Sequence, residues 1–437
     1  MSGKNKDEQA ILTKLGINQL NAMQQAAHQA ISSNNEVILL SPTGTGKTLA
    51  FLLPILAGLD RNTEQVQVLI LVPSRELAIQ IEQVIREMGS GFKTNAVYGG
   101  RAGSKDKIDL KHAPAILIGT PGRIADHMRR ETVHKDHIKT LVLDEFDKSL
   151  EVGFETEMTE IIEALPSVEK KILTSATQKV EIPDFMSISN PERLNFLSDT
   201  KSQLKLAMVK SPSKDKLETL EQLLGHIATG SGIIFCNFKD TIQFVSNYLE
   251  DSGISHSCFY GGLEQMDRER ALIKFRNGSS RLLLATDLAA RGIDVPELDF
   301  IIHYQLPPKK EEFIHRNGRT ARMQSDGAAY LLIGKNERLP DFAEEAEEET
   351  ISNTSPFSDS EWSTLFISGG RKDKISKGDI AGLFMKQGGL QNGELGTIEL
   401  KQDCAFVAVP TGKANSLINQ LNNSRLKKKK VRISALK

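Results

Sequence analysis

Cysteine is scarce in this chain. Its 437 residues include three, Cys236, Cys258 and Cys404, too far apart for a metal-ligand spacing or a disulfide framework. They fit reduced, half-buried core positions in a cytoplasmic protein. Long apolar runs are missing too. No stretch approaches the ~18 residues of a membrane span, and the polar first ten residues do not look like a signal sequence. A membrane partner is therefore not expected. Net charge is nearly absent, at −1, but this hides an asymmetry. Residues 361–437 carry 14 Lys+Arg against 6 Asp+Glu, whereas 1–360 carry 41 against 50. A basic terminal piece on an acidic body suggests a polyanionic partner; a solvated charged face is the alternative for Lys427–Lys430. With 25% charged and 39% apolar residues, the chain has ordinary globular composition and room for two to three cores.

Short apolar β-branched runs alternate with helical patterns from about residue 20 to 200. Strand candidates are 37–40, 66–72, 115–118, 139–143 and 171–174, with amphipathic segments such as 75–88 and 155–164 between them. This rhythm predicts an α/β unit with a parallel sheet covered on both faces. It pauses at 198–215, which reads as a polar linker, and restarts with strands near 232–236, 256–259, 281–285, 299–303 and 328–333. The glutamates and Ser/Thr/Asn/Pro of 340–360 read as an acidic flexible tether. Beyond it, 361–437 shows a compact mixed pattern of strands and two helices. The expected domains are thus 1–200, 201–339 and 361–437, joined through 340–360.

Ser41-Pro42-Thr43-Gly44-Thr45-Gly46-Lys47-Thr48 lies between an apolar run and a helical pattern. In that context backbone N–H groups, a helix N-terminus and one lysine can cradle a polyphosphate. Lys47 would reach the β and γ phosphates, and the Thr48 hydroxyl could ligate Mg²⁺. The full pattern asks for Gly where Ser41 stands, and an ordinary Gly-rich turn is the alternative. Leu141-Val142-Leu143-Asp144-Glu145-Phe146-Asp147 would put two carboxylates at the C-terminal edge of the same sheet. Asp144 would hold Mg²⁺ through water, and Glu145 would orient the water attacking the γ-phosphate. In His315-Arg316-Asn317-Gly318-Arg319-Thr320-Ala321-Arg322, the spacing puts Arg319 and Arg322 on one helical face. They could act as arginine fingers, worth ~10³–10⁵ in rate where isolated; salt-bridged surface arginines are the alternative.

Taken in order, these stretches resemble a DEAD-box RNA helicase across residues 15–335. Gly16 through Gln24 is similar to the glutamine motif, and 41–48 to motif I. Pro73-Ser74-Arg75-Glu76-Leu77-Ala78, Gly99-Gly100 and Thr120-Pro121-Gly122-Arg123 resemble RNA-contacting motifs. Asp144-Glu145-Phe146-Asp147 stands where Asp-Glu-Ala-Asp is usual, and Ser175-Ala176-Thr177 resembles motif III. Phe235-Cys236-Asn237, Gln265 with Arg268, Ala285 to Asp294 and His315 to Arg322 match the later motifs.

The resemblance implies two tandem RecA-like domains that close on ATP and one RNA strand. Gln24 would read adenine, and Asp294 the ribose. Arg75, Gly99, Gly100, Thr120 and Arg123 of the first domain, with Gln265, Arg268 and Thr286 of the second, would hold sugar-phosphate. Such contacts position a strand without reading its sequence. Ser175, Thr177 and Asp147 would couple hydrolysis to RNA. The implied activity is RNA-stimulated ATP hydrolysis with local unwinding of short duplexes, by a protein expected to be a monomer. The chain departs from the pattern at Asp7, about 17 positions before Gln24, where the family usually has an aromatic. Leu20-Asn21 replace the usual Pro-Thr, and together with the missing aromatic this would loosen adenine selectivity; Phe146 replaces Ala on what reads as the strand edge.

Residues 361–437 resemble the C-terminal RNA-binding domain of DbpA-type DEAD-box proteins, through Leu365–Ile375, Gly378-Asp379-Ile380 and Phe406–Pro410. The expected fold is a small α+β domain like a divergent RNA-recognition motif. Strand 404–409 offers Phe406 with Cys404 and Ala408 on the same face, too little aromatic surface for base stacking. Arg371, Lys372, Lys374, Lys377 and the 425–432 run are the expected contacts. Kinship, rather than charge or spacing, implies large-subunit ribosomal RNA and a pre-ribosomal particle as partners. Two other readings share the core motifs: an ATP-dependent RNA clamp, and a DNA translocase that the 2′-OH contacts of the family disfavour.

Overall fold

The computed structural model describes every residue except 1, 101–102, 152, 178–181, 198–203, 288–294, 296–297, 321–326, 352–354 and 437. The chain divides into two compact units, one running to Ser202 and the other beginning at Gln203. Among the described residues no helix is long and apolar enough to cross a membrane.

In the first unit the strands are β1 Glu36–Leu40, β2 Val68–Leu71, β3 Thr94–Val97, β4 Ile116–Gly119, β5 Thr140–Leu143, β6 Lys170–Ser175 and β7 Glu192–Asn195. They form one sheet in the order β3-β4-β2-β5-β6-β1-β7, each pair parallel. Their sequences are near-continuous apolar runs because both faces are covered. Val37 and Leu39 enter one core with Phe51, Leu52 and Ile81. Ile38 and Leu40, of opposite parity, enter the other with Ile124, Met158 and Ile161. Helix Arg75–Met88 shows how the ends are set: the Ser74 hydroxyl accepts from the Leu77 N–H, and Gly89 closes the helix at φ 65°. Strands β3 and β7 and helices Ser2–Lys14, Gly103–Leu110 and Pro121–Arg129 were not among the sequence expectations.

The second unit holds β8 Leu204–Lys210, β9 Gly232–Phe235, β10 Ser257–Phe259, β11 Leu282–Ala285, β12 Phe300–His303, β13 Gly327–Ile333 and β14 Glu347–Glu348. These make a second parallel sheet in the order β10-β11-β9-β12-β13-β8-β14. The polar linker expected at 198–215 is corrected here. Within it β8 pairs along its whole length with β13, Leu204 opposite Gly327 through Lys210 opposite Ile333. Lysines at 205 and 210 masked an apolar alternation. Ala207 and Val209 enter one core, while Leu206 and Met208 pack on Phe313 and Leu331 on the other side.

The flexible tether expected at 340–360 is corrected as well. Ala343 is fully buried. Glu347 and Glu348 form an edge strand on β8, and the Ser355 and Ser358 N–H groups bond to the Gly225 and Ala228 carbonyls. Ile351 and Phe357 pack on the sheet, the Phe357 ring edge-on to Phe300 at 6.3 Å. The acidic run suggested self-repulsion, but β8 supplies its counter-charges. Lys205 pairs with Glu349 at 2.5 Å and Lys210 with Glu348 at 2.6 Å.

Beyond this strap, β15 Trp362–Ile367, β16 Ile398–Leu400, β17 Ala405–Pro410 and β20 Ile433–Ala435 form an antiparallel sheet in the order β16-β17-β15-β20. Helices Lys377–Gly382 and Thr411–Leu421 cover the face that carries Leu365, Ile367, Val407 and Val409. A hairpin, β18 Arg425–Leu426 with β19 Lys429–Lys430, precedes β20.

Trp362 is the single tryptophan of the sequence and reports on the second unit. Phe357→Ala removes the ring that seats the strap on Phe300 and is expected to destabilise this unit by about 1–3 kcal/mol. Denaturant unfolding followed by Trp362 fluorescence measures it; an unchanged midpoint would mean that the strap is not part of the folded unit.

Candidate active site and nucleic-acid interface

Parallel strands leave their carboxyl ends on one edge, and the first unit's sequence motifs follow those ends. The 41–48 loop follows β1, Asp144 and Glu145 follow β5, and Ser175 closes β6. These three strands are neighbours, in the order β5-β6-β1. Gly44 and Gly46 hold φ 82° and 85°, and helix Lys47–Gly58 starts at the loop's lysine, with Thr48 on its first turn. Glycine suits position 46 because its left-handed φ would strain any side-chain-bearing residue, and a Cβ there would also stand 2.4 Å from the Gln24 Nε2. The Lys47 ammonium donates to the Ser41 carbonyl at 2.5 Å and to the Pro42 carbonyl at 2.8 Å. The loop thus closes on its own lysine. Ser41, where glycine is usual, is fully buried and its hydroxyl meets that of Thr45 at 2.8 Å. Thr43 is half-buried on the same loop.

Asp144 is buried, and its carboxyl titrates above the ordinary carboxylate range. Desolvation is the main cause, opposed by the Thr174 hydroxyl, which donates to Asp144 Oδ1, and by the charge of Lys47. The same Thr174 oxygen accepts from the Glu145 N–H at 3.3 Å. Glu145 has φ 50°, a left-handed conformation uncommon for a side-chain-bearing residue and characteristic of functional turns. A buried, desolvated carboxylate near a phosphate-loop lysine and a helix-start threonine fits a divalent cation bound between Asp144 and Thr48. Phe146 corrects an expectation: it starts the helix Phe146–Glu151 instead of ending the strand. Its ring is buried in the core with Leu143, Met158 and Leu173. The structure brings Asp147, Ser175 and Thr177 together. Thr177 Oγ1 donates to Asp147 Oδ2 at 2.9 Å, and the Ser175 hydroxyl accepts from the Thr177 N–H at 2.9 Å.

Gln24 is held by a capping box, exchanging bonds with Asn21 at 2.8 and 3.0 Å. Its Nε2 donates to the Gly46 carbonyl at 3.4 Å, and the Asn21 amide donates to the Thr45 carbonyl at 3.1 Å. The departure at Asn21 therefore ties the glutamine segment to the phosphate loop.

At the other end of the sheet, β3-β4-β2 carry the residues expected to meet RNA. Arg75 opens its helix after β2, and its guanidinium lies over Gly99 and Gly100; a Cβ on Gly100, at φ 82°, would stand 2.6 Å from it. Thr120 caps the helix after β4. Arg123 is a correction. Instead of facing solvent for a phosphate, it donates to Asp106 Oδ2 at 2.9 and 2.7 Å and to Asp126 at 3.4 Å. Asp106 is fully buried and also meets His127 Nε2 at 3.1 Å, so a buried acid claims the arginine.

In the second unit Gln265 and Arg268 begin the helix Gln265–Arg276 after β10, and Thr286 follows the adjacent β11. The Arg268 guanidinium lies over the Phe259 ring at 5.0 Å. The helical placement expected for Arg319 is corrected. The helix is Lys310–Asn317, and Arg319 lies in the turn after Gly318, where Thr320 bridges to Leu298. Arg319 is nearly buried, and Arg322 and Asp294 lie outside the described residues. Arg316 is fully buried, donating from Nε and Nη2 to the two Asp287 oxygens, from Nη1 to the Gln305 carbonyl at 2.7 Å and from Nη2 to Asn237 Oδ1 at 2.8 Å. It joins three motifs structurally. Beside it, burial and the Arg316 charge push the fully buried His303 imidazole down to about 3; its Nε2 meets Asn317 at 2.9 Å.

In the C-terminal domain Arg371 is half-buried, while Lys372 and Lys374 are exposed on the turn after Gly370. Acids answer part of the basic set: Lys372–Asp403 at 2.5 Å, Lys429–Asp373 at 2.7 Å and Lys427–Asp379 at 2.9 Å.

Residues 21–185 match the DEAD/DEAH box helicase family, 215–324 the helicase conserved C-terminal domain, and 364–435 the DbpA RNA binding domain. ATP-dependent RNA helicase DbpA of Escherichia coli is 33% identical over 440 residues, 98% of this chain and 96% of that protein. The chain belongs to the DEAD-box RNA helicases of the DbpA type. The Bacillus subtilis protein of the same name is 31% identical over 97% of the chain and 96% of its own length. Among solved structures, Saccharomyces cerevisiae Dbp5 bound to RNA and ADP BeF3 superposes with a TM-score of 0.68 at 27% identity, covering 76% of this chain and 88% of that one. The protein is thus an ATP-hydrolysing RNA helicase with two RecA-like parallel-sheet domains and a small RNA-binding domain.

Sequence reasoning missed Thr174, whose hydroxyl serves both Asp144 and Glu145, and Asp106, which holds Arg123. Thr174 precedes the Ser-Ala-Thr motif by one position, a signal within reach; Asp106 sits in an unremarked helix and gave none.

The raised Asp144 titration means that its charge opposes folding at neutral pH, a cost present above the carboxyl's unfolded value. Asp144→Asn should raise the melting temperature of the ligand-free helicase, by about 2–4 °C for each kcal/mol relieved, while abolishing ATP turnover. Calorimetry paired with a phosphate-release assay checks both. For His303 the sign is the reverse of a salt-bridged histidine. The unfolded chain takes up the proton first as pH falls below 6.5, so stability is full above that value and lost toward 3. The second unit should be about 2 kcal/mol weaker at pH 5 than at pH 7 from this group alone. His303→Gln should flatten that slope in the Trp362 signal.

Proposed function

We propose that this helicase couples ATP hydrolysis to local separation of short RNA duplexes, and that its C-terminal domain delivers it to large-subunit ribosomal RNA in the cytoplasm. The observation supporting the catalytic part is the convergence of Lys47, Asp144, Glu145 and Thr174 at the ends of three adjacent parallel strands. In this reading ATP displaces the Ser41 and Pro42 carbonyls from Lys47, and the loop's N–H groups take the phosphate oxygens. Thr48 and, through water, Asp144 would hold Mg²⁺, which would neutralise charge on the phosphates. Glu145, fixed at its backbone by Thr174, orients water toward the γ-phosphate. Arg319, Arg322 and Asp294 act on the same nucleotide from the second domain when RNA is bound.

Arg75, Gly99, Gly100 and Thr120, with Gln265, Arg268 and Thr286, take the sugar-phosphate of one strand. Arg123 acts indirectly, by fixing the turn that carries Thr120. Bending of the held strand excludes its complement, which is how unwinding proceeds without sequence reading. Ser175, Thr177 and Asp147 carry the state of the acid loop to the RNA end of the sheet. Arg371, Lys372 and Lys374 serve the C-terminal domain, where Lys372 exchanges Asp403 for a phosphate. The ribosomal target and the pre-ribosomal particle rest on kinship with the DbpA-type proteins, and a monomer suffices for each step.

Glu145→Gln keeps the side chain's size and removes its charge. RNA-stimulated turnover is expected to fall ~10²–10⁴-fold with ATP and RNA binding retained. Phosphate release with and without oligouridylate, alongside a duplex-displacement assay, measures this. Undiminished hydrolysis would remove Glu145 from the reaction, and stimulation without displacement would favour the clamp.

A further inference from the structure

The Gly99-Gly100 turn and Thr120 leave the first sheet from adjacent parallel strands. Val97 at the end of β3 stands opposite Gly119 at the end of β4, and the Thr120 N–H donates to the Val97 carbonyl at 3.3 Å. Neighbouring strands lie about 4.8 Å apart, so the two turns emerge side by side. The ladder stops there. Each turn then runs into a helix, Gly103–Leu110 after the glycines and Pro121–Arg129 after Thr120. Beyond the sheet, the contact between those two helices holds the turns at a fixed separation.

That contact centres on one buried oxygen. Arg123 and His127, four positions apart, lie on one face of their helix. Both reach Asp106, on the first turn of the other helix. Arg123 Nε and Nη2 donate to Asp106 Oδ2 at 2.9 and 2.7 Å, and His127 Nε2 meets the same oxygen at 3.1 Å. Asp106 is fully buried and His127 is 4% exposed. The guanidinium also packs against the start of the helix, where a Cβ on Gly103 would stand 3.4 Å from Nη2. A carboxylate only accepts, so His127 Nε2 carries a proton, while Nδ1 faces the Thr132 hydroxyl at 2.7 Å. A buried carboxylate is tolerated when its cation and donors are in place. Parting the two helices would strip them away.

We propose that Asp106 and His127 are positioning residues for RNA, locking the Gly99-Gly100 turn and the Thr120 turn into one platform that is set before the strand arrives. One strand must meet both turns at once. Turns that moved independently would have to be ordered on binding, at a cost in affinity. Arg123 is the link between the acid and the second turn, since its own N–H donates to the Thr120 carbonyl at 3.0 Å. The phosphate loop follows β1 and the acid pair follows β5. A fault in the platform should therefore fall on RNA affinity and spare the chemistry. This role rests on the reading of Gly99, Gly100 and Thr120 as RNA contacts.

The test uses the full chain, with labelled oligouridylate titrated in the presence of ADP and beryllium fluoride and phosphate release measured alongside. Asp106→Asn, which keeps the side chain's size, should weaken oligouridylate binding about tenfold, while kcat at saturating RNA and the KM for ATP stay within about twofold. Unchanged binding, or a kcat that falls with the affinity, overturns the positioning role. Should Asp106→Asn fail to fold, the histidine carries the same test. His127→Leu should show the RNA defect, and His127→Gln, which keeps a donor toward Oδ2, should bind nearly as the wild type does; equal binding by the two overturns the role. Arg123→Gln should lower affinity with the salt dependence of binding unchanged. A slope shallower by about 0.7 would mark a lost phosphate contact and overturn its part as the link. Wild-type protein that fails to bind oligouridylate overturns the RNA-contact reading and this role together; normal wild-type binding with undiminished variants overturns this role alone.

Discussion

Parallel pairing is the constraint on which the rest of this molecule depends. Strands that run in one direction need helical crossovers, which cover both faces and make apolar strands obligatory. They also put every carboxyl-terminal turn on one edge. In the first unit the order β3-β4-β2-β5-β6-β1-β7 then divides that edge into two territories. Three adjacent strands carry the phosphate loop, the acid pair and the Ser-Ala-Thr segment; three others carry Arg75, Gly99-Gly100 and Thr120. Residues far apart in sequence become neighbours, and β2 against β5 is the boundary across which the two territories meet.

Burial of charge is the second theme. Asp144, Arg316 and Asp106 are all removed from water, and each is answered differently. Arg316 is satisfied four ways and braces three motifs. Asp106 takes an arginine and a histidine. Asp144 receives a threonine hydroxyl, yet desolvation still outweighs it and keeps the carboxyl above the ordinary carboxylate range. A fully satisfied charge specifies structure; a partly satisfied one is available for chemistry.

Much of the fold was legible because strongly apolar, β-branched runs have few alternatives. The strands around 37–40, 139–143, 171–174 and 232–236 lie where periodicity put them. Errors gathered where charge obscured pattern. Lys205 and Lys210 made β8 look like linker, and the glutamates of 340–360 looked like a tether because the lysines that pair with them lie more than a hundred positions earlier. Arg123 looked available for the same reason: its acidic partner sits in a helix that no periodicity announced.

The amino-acid order by itself determined the chemistry on offer: a loop that must be glycine at 44 and 46, an acid pair ending a strand, a basic terminal piece, and motifs ordered as in one helicase family. Those are local properties, set by backbone freedom and residue type. Only the tertiary structure decided which charges are spent on neighbours. Arg123, Arg316 and Lys372 read alike as cations in one dimension. Their availability depends on which carboxylate the fold brings within hydrogen-bond reach, and that distance exists only once the chain has packed.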